Sequence, residues 1–194
     1  MELPPRLYHW LVRPGWFTKK FISKVIGQDL NFDNKKVLDF GCGIGSSCFM
    51  FTPKNYLGID PDHRRINYAR YLYPNYHFKT IKGKKLNTPD NTFDYILIIA
   101  VLHHIKSEEL PGIMHEFHRV LKPDGNIIVM EPCFYPGNYL NNFLMDLFDR
   151  GNYIRNADDY LQMFYLHNFR INNVKRIKKL FYNEVLFSAA PDSS

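Results

Sequence analysis

Residues 36–61 read KVLDFGCGIGSSCFMFTPKNYLGIDP, and their order decides the fold. Val37, Leu38 and Phe40 form a short apolar run suited to a buried strand, and Gly41-Cys42-Gly43-Ile44-Gly45 ends it in a glycine-rich turn. Ser46-Ser47 offers a helix start, and Tyr56-Leu57-Gly58-Ile59 is a second strand that ends on Asp60. A strand, glycine turn, helix, strand and acid in this order is how a parallel sheet grips a nucleoside-bearing cofactor. The spacing then separates the cofactors. A dinucleotide fingerprint wants its third glycine at position 46, where this chain has Ser46.

Working outward, residues 1–16 are rich in proline and aromatic residues and read as an irregular arm, followed by a helix with Phe21, Ile22, Val25 and Ile26 on one face and Gly27 as its stop. After Pro61 a helix carrying Ile66, Ala69 and Leu72 runs to Pro74, and residues 76–81 make a third strand. Phe93–Ile99 reads as a strand whose apolar run from Tyr95 onward is the mark of a central parallel strand covered on both faces. A helix over Glu108–Leu121, a turn at Lys122-Pro123-Asp124-Gly125 and a fifth strand at Ile127–Met130 follow. Leu140, Phe143, Leu144, Leu147 and Phe148 recur at helical spacing, Tyr160–Tyr165 suggest a short helix, and Arg170–Lys178 and Glu184–Ala189 close the chain as two strands. Strands alternating with helices predict an α/β fold, a single-domain, doubly wound, mostly parallel seven-stranded sheet with an antiparallel C-terminal strand. The single domain covers residues 1–194, with residues 1–27 as N-terminal arm and helix and residues 133–165 as a substrate-side insertion. Sites in such sheets lie beyond the carboxyl ends of the strands.

Composition limits the alternatives. Cys42, Cys48 and Cys133 are odd in number and show no paired ligand spacing, which argues for a reducing compartment and predicts neither a disulfide framework nor a metal site. The longest apolar run, Tyr95–Leu102, is far shorter than the ~20 residues of a spanning helix, and no signal peptide is evident, so a soluble, cytoplasmic protein is expected. The net charge of +6 is concentrated at the two ends, in Arg6, Arg13, Lys19, Lys20 and Lys24 and again in Arg170, Lys175, Arg176, Lys178 and Lys179. These ends either attract an anionic surface in a peripheral contact or serve as ordinary solvated faces.

The motifs VLDFGCGIG, GIDPD, LNTPDNTFDYILIIAVLHHI and RVLKPDGNIIVMEP stand in the order and at the spacings of the class I S-adenosylmethionine (SAM)-dependent methyltransferases, which this chain resembles over roughly residues 36–132. The resemblance implies a Rossmann-like fold, SAM as cofactor and methyl transfer as activity, with Asp39, Gly41, Cys42, Gly43, Gly45, Asp60, Pro61, Lys82, Gly83 and Ala100 at the cofactor. SAM carries no pyrophosphate, so the glycines serve to let the backbone pass close to its methionine and ribose parts. Asp60 can accept from both ribose hydroxyls, and Asp39 either reaches the α-amino end or braces the turn. Lys82 stands where the family places an acceptor for the adenine amino group; lysine cannot accept, so a backbone carbonyl, or stacking and the Gly83 N–H, takes that part.

The same resemblance sets a histidine, His103 or His104, near the transferred methyl as a candidate catalytic base, and Glu131 at the end of the fifth strand is a second candidate. Either histidine serves equally as a helix cap. Acceptor contacts are expected from Tyr8, Trp10 and Trp16 of the arm and from Tyr135, Tyr139 and Arg155. Aromatics beside arginine suit a ring or sugar bearing a carboxylate or phosphate, although the tyrosines could equally be packing residues. The expected partner is a small-molecule acceptor methylated at oxygen or nitrogen, such as a sugar, lipid precursor or natural product, rather than nucleic acid, with the chain a monomer or homodimer. Two other readings remain: a SAM-binding protein without transfer activity, and an RNA or protein methyltransferase. The second of these lacks the Asn/Asp-Pro-Pro-Tyr motif after the fourth strand, where Ala100-Val101-Leu102-His103 stands.

Overall fold

A computed structural model of the chain describes residues 32–83, 85–148, 153–178 and 183–192. The arm with Tyr8, Trp10 and Trp16 and the helix expected at residues 18–26 lie outside them. The chain gathers into two compact units, Met1–Gly83 and Lys84–Ser194.

In the first unit three parallel strands, β1 (Val37–Phe40), β2 (Tyr56–Asp60) and β3 (His77–Thr80), pair in the order β3-β2-β1. Helix α1 (His63–Leu72) connects β2 to β3 and buries Ile66 and Ala69. Asp62 caps it, accepting the backbone N–H groups of Arg64 at 2.8 Å and Arg65 at 3.4 Å. The helix expected at Ser46-Ser47 is replaced by turns and a 3-10 turn at Cys48–Met50. Thr52-Pro53 explains the difference: Thr52, the residue before proline, is extended, which closes the connection after one short turn.

The ring of Phe78 on β3 fits where two glycines leave room. A Cβ built on Gly45 would come within 2.6 Å of that ring, and one on Gly58 within 2.7 Å. Gly45 also has φ +76°, which favours glycine. Gly45→Ala is therefore expected to lower stability by about 2–4 kcal/mol, from overpacking and left-handed strain together. Thermal unfolding would show it, and adding Phe78→Leu should restore part of the loss.

In the second unit β4 (Phe93–Ile99) pairs in parallel with β5 (Leu121–Phe134). Helix α2 (Leu110–Val120) buries Leu110, Ile113, Met114, Phe117 and Val120, the face that its spacing predicts. The Lys122–Gly125 turn lies inside β5 as a register break: Phe93 pairs with Leu121, and Tyr95 with Asn126. Helix α3 (Tyr139–Phe148) forms where expected; the side chains of Leu144, Leu147 and Phe148 on its expected apolar face lie outside the described residues. Leu140 and Phe143 are 65% and 63% exposed, whereas Asn141 and Met145 are buried. Asn183, buried at the start of a C-terminal strand, accepts from Asn141 at its Oδ1 at 3.2 Å, and its N–H approaches the Met145 sulfur at 3.3 Å.

The two-residue strand β6 (Arg155–Asn156) pairs with Cys133 and Phe134, and brings the described strands to eight rather than seven. Helix α4 (Ala157–Tyr165) opens with a capping box between Asn156 and Asp159. The hairpin of β7 (Phe169–Lys178) and β8 (Asn183–Pro191) follows, with β8 antiparallel to both β7 and β5. Among the described residues no helix is long and apolar enough to cross a membrane.

Candidate functional site

Two acids at strand ends organise the candidate residues, one in each unit, and both act by the same geometry. In the first unit, β1 stops at Phe40 while β2 runs one residue past its last pair, to Asp60. The Ile59 carbonyl takes the N–H groups of Gly41 at 2.8 Å and Cys42 at 2.9 Å, and the Asp60 carboxylate takes the next donor, the Gly43 N–H, at 2.9 Å. The other Asp60 oxygen accepts from the Asp62 N–H at 2.8 Å. Asp60 is buried, which pushes its carboxyl above the ordinary value, while the two N–H groups oppose that rise. Each oxygen thus holds one donor and keeps a second acceptor position.

Gly41, Gly43 and Gly45 all have positive φ, and a Cβ on Gly43 would stand in open space. The turn therefore presents bare backbone beside the Asp60 carboxylate. Asp39 is buried behind it and accepts the Tyr56 hydroxyl at 2.7 Å. Burial, with Asp39 adding to it, pushes the Tyr56 phenol well up. Burial also raises the Cys42 and Cys48 thiols, the latter to about 12, so neither is a nucleophile at neutral pH. Pro61, Lys82 and Gly83 are exposed, with Gly83 at φ +74°. These residues fit a nucleoside with a vicinal diol: two acceptor positions at Asp60, backbone that a ligand can approach closely at Gly43, and no phosphate cradle.

In the second unit, β4 stops at Ile99 opposite Met130, and β5 continues through Glu131. Ala100 donates to the Met130 carbonyl at 2.8 Å and turns the chain at φ +53°. Glu131, 0% exposed, then gathers the loop. One oxygen accepts from Val101 N at 2.7 Å and Leu102 N at 2.9 Å. The other accepts from His103 N at 3.3 Å and meets His103 Nδ1 at 2.8 Å. With two donors on each oxygen, Glu131 has the geometry of an anchor. His103 is buried, His104 is exposed, and the two rings lie 4.0 Å apart.

Arg155 holds the same loop from its carbonyl side. Its guanidinium donates to Leu102 O at 3.0 Å, Tyr153 O at 3.1 Å, Ile105 O at 3.1 Å and Ser107 Oγ at 3.2 Å, and lies 5.8 Å from the Tyr160 ring. Of the other expected acceptor contacts, Tyr135 is buried and its hydroxyl donates to Glu184 O at 2.9 Å, whereas Tyr139 is 81% exposed. Sequence reasoning missed Tyr56 as the partner of Asp39, and missed the loop-holding part of Arg155. No spacing signal reports a contact between residues so far apart in the chain.

Residues 37–125 match the pattern of a family described as a methyltransferase domain. Over that stretch the chain is similar to methyltransferase domains. It is similar to a phosphoethanolamine N-methyltransferase of Triticum aestivum, 30% identical over 154 residues that make up 75% of this chain and 29% of that protein. It is also similar to a sterol 24-C-methyltransferase of Schizosaccharomyces pombe, 38% identical over 107 residues, 50% of this chain and 27% of that one. The chain therefore spans less than a third of the length of these curated relatives. A crystal structure of a SAM-dependent methyltransferase from Aquifex aeolicus superposes with a TM-score of 0.75 at 19% identity, covering 97% of this chain and 99% of that one. That likeness carries the fold: Rossmann-like α/β, with strands mostly parallel and an antiparallel C-terminal strand, as the sequence predicts. The Gly41–Gly45 turn and Asp60 lie in the first two of the quoted motifs, and Ala100–His104 and Glu131 in the last two.

Proposed function

We propose that this chain binds SAM and transfers its methyl group to an oxygen or nitrogen of a small-molecule acceptor. The observation that carries this reading is Asp60, a buried carboxylate whose two oxygens each hold one backbone N–H and keep one acceptor position, beside the open backbone of Gly43. Those two positions suit the 2′- and 3′-hydroxyls of the donor's ribose. Asp39, with one oxygen on the Tyr56 hydroxyl, is assigned to the methionine ammonium side. The bound donor supplies a methyl group on a sulfonium, whose in-line displacement leaves a neutral thioether.

The protein's part is alignment and proton removal. A hydroxyl or protonated-amine acceptor must lose a proton as its oxygen or nitrogen bonds to the methyl carbon, and His103 is assigned to that proton. Glu131 is assigned to the loop rather than to the proton, because its oxygens already hold four donors.

The relatives named for phosphoethanolamine N-methylation make a small phosphorylated amine the first acceptor to try, and the basic net charge of +6 favours anionic substrates. Titration calorimetry with SAM and with its demethylated product tests the reading. Micromolar binding of either is expected; no binding of either at millimolar ligand would overturn it. Label transfer from methyl-labelled SAM to an amine and hydroxyl acceptor panel then tests the reaction itself.

A further inference from the structure

We propose that the outer edge of β3 is a pairing site for a second copy of this chain, and that Arg70 and Lys79 hold it closed. β3 ends the strand order β3-β2-β1 and pairs only with β2 among the described residues. In a parallel ladder successive residues turn their backbone groups alternately toward the partner strand and away from it. Ile81 N donates to Asp60 O at 3.2 Å, so Ile81, Lys79 and His77 face β2, and Phe78 and Thr80 turn their N–H and C=O groups to the open edge. The Phe78 carbonyl agrees with this, because a side chain takes it rather than β2. Such an edge is a template for another strand.

Arg70 occupies an acceptor that an added strand needs. From the last turn of α1 it donates to the Phe78 carbonyl with Nη2 at 2.7 Å and Nε at 3.3 Å, and its Nη1 donates to Asn67 Oδ1 at 3.4 Å. Two donors fill both lone pairs of the Phe78 oxygen and leave none for an incoming N–H.

The partner that fits is the chain itself, because the edge is complementary to its own copy about a two-fold axis. With two copies antiparallel about Lys79, Phe78 lies opposite Thr80 of the second copy, and each such pair exchanges two bonds. Every out-turned group of β3 is then used. The same register sets the two copies of Lys79 directly opposite each other in a non-hydrogen-bonded pair, where side chains approach most closely. Lys79 is exposed, and like charges so placed oppose pairing. The surroundings add to the repulsion: residues 63–83 hold five Lys/Arg and no Asp/Glu. The backbone thus suits self-pairing, while Arg70 and Lys79 prevent it.

The test compares wild type with Arg70→Met/Lys79→Thr by sedimentation equilibrium and by amide hydrogen exchange read residue by residue in NMR spectra. The double variant should associate with a dissociation constant on the order of 0.1–1 mM, the strength of about four net hydrogen bonds. At about 1 mM its weight-average mass should be about 1.5-fold or more that of the 23.0 kDa chain. Its Phe78 and Thr80 amides should exchange about twofold or more slowly at about 1 mM than at about 0.05 mM, since pairing covers them. In wild type these two amides should exchange at rates independent of concentration. Arg70→Met alone should associate less than the double variant, because the Lys79 repulsion remains.

A folded double variant whose mass and whose Phe78 and Thr80 exchange do not change with concentration overturns the pairing site. Association that leaves those two amides unprotected overturns it as well, since the contact then lies elsewhere. Wild type that protects them as concentration rises overturns the closing role of Arg70 and Lys79. If Arg70→Met does not fold, Arg70→Lys/Lys79→Thr decides, because lysine keeps the charge but lacks the two-pronged grip on the Phe78 carbonyl. It should associate more than Lys79→Thr alone, and equal behaviour of the two overturns the role of Arg70.

Discussion

Asp60→Asn is expected to weaken SAM binding about 100-fold or more, measured by calorimetry on protein shown to be folded by circular dichroism. The carboxylate of Asp60 accepts the Gly43 and Asp62 N–H groups and, in the proposed complex, two ribose hydroxyls. Hydrogen bonds to a charged group contribute about 1.5–3 kcal/mol each, so losing the charge at two of them costs a factor of about 10² or more in affinity. Asparagine also places an NH2 against one of two backbone donors. A fall in melting temperature should therefore accompany the weaker binding. Folded Asp60→Asn that binds SAM within about threefold of wild type would remove the ribose-anchor role.

His103→Asn should lower kcat by about 10²–10⁴-fold, the usual range for a lost general base, with SAM affinity nearly unchanged. Asparagine is the informative substitution because its NH2 can stand in for Nδ1–H and keep a bond to Glu131, while nothing replaces Nε2. The loop is thus preserved and only proton acceptance is lost. Transfer to an acceptor that attacks as a carboxylate needs no base and should be spared. A loss shared equally by carboxylate and hydroxyl acceptors would point to a disturbed loop, and a kcat within threefold of wild type for a hydroxyl acceptor would take the base role from His103.

Some parts of the site were legible because a short segment encodes them. The glycine turn needs positive φ at Gly41, Gly43 and Gly45, and glycine is the residue that adopts it without strain, so the turn is written in its composition. Asp60 was legible as the acid ending an apolar strand, and the central strand Phe93–Ile99 by its apolar run from Tyr95 onward. The contact of α3 with the buried Asn183 was not legible, because only folding brings that residue to Asn141 and Met145.

The amino-acid sequence by itself determined the α/β fold, the likeness to methyltransferase domains and the positions of the strand ends, because each rests on local spacing within a few residues. Only the tertiary structure decided what the acids at those ends do. Which residue's N–H groups meet Asp60 or Glu131 depends on strand register: β2 outlasts β1 by one residue, and β5 outlasts β4 by several. Register sets whether a carboxylate faces solvent, a substrate or a neighbouring loop. It is fixed by pairing between segments far apart in the chain, and it gives each Asp60 oxygen one backbone N–H and each Glu131 oxygen two nitrogen contacts.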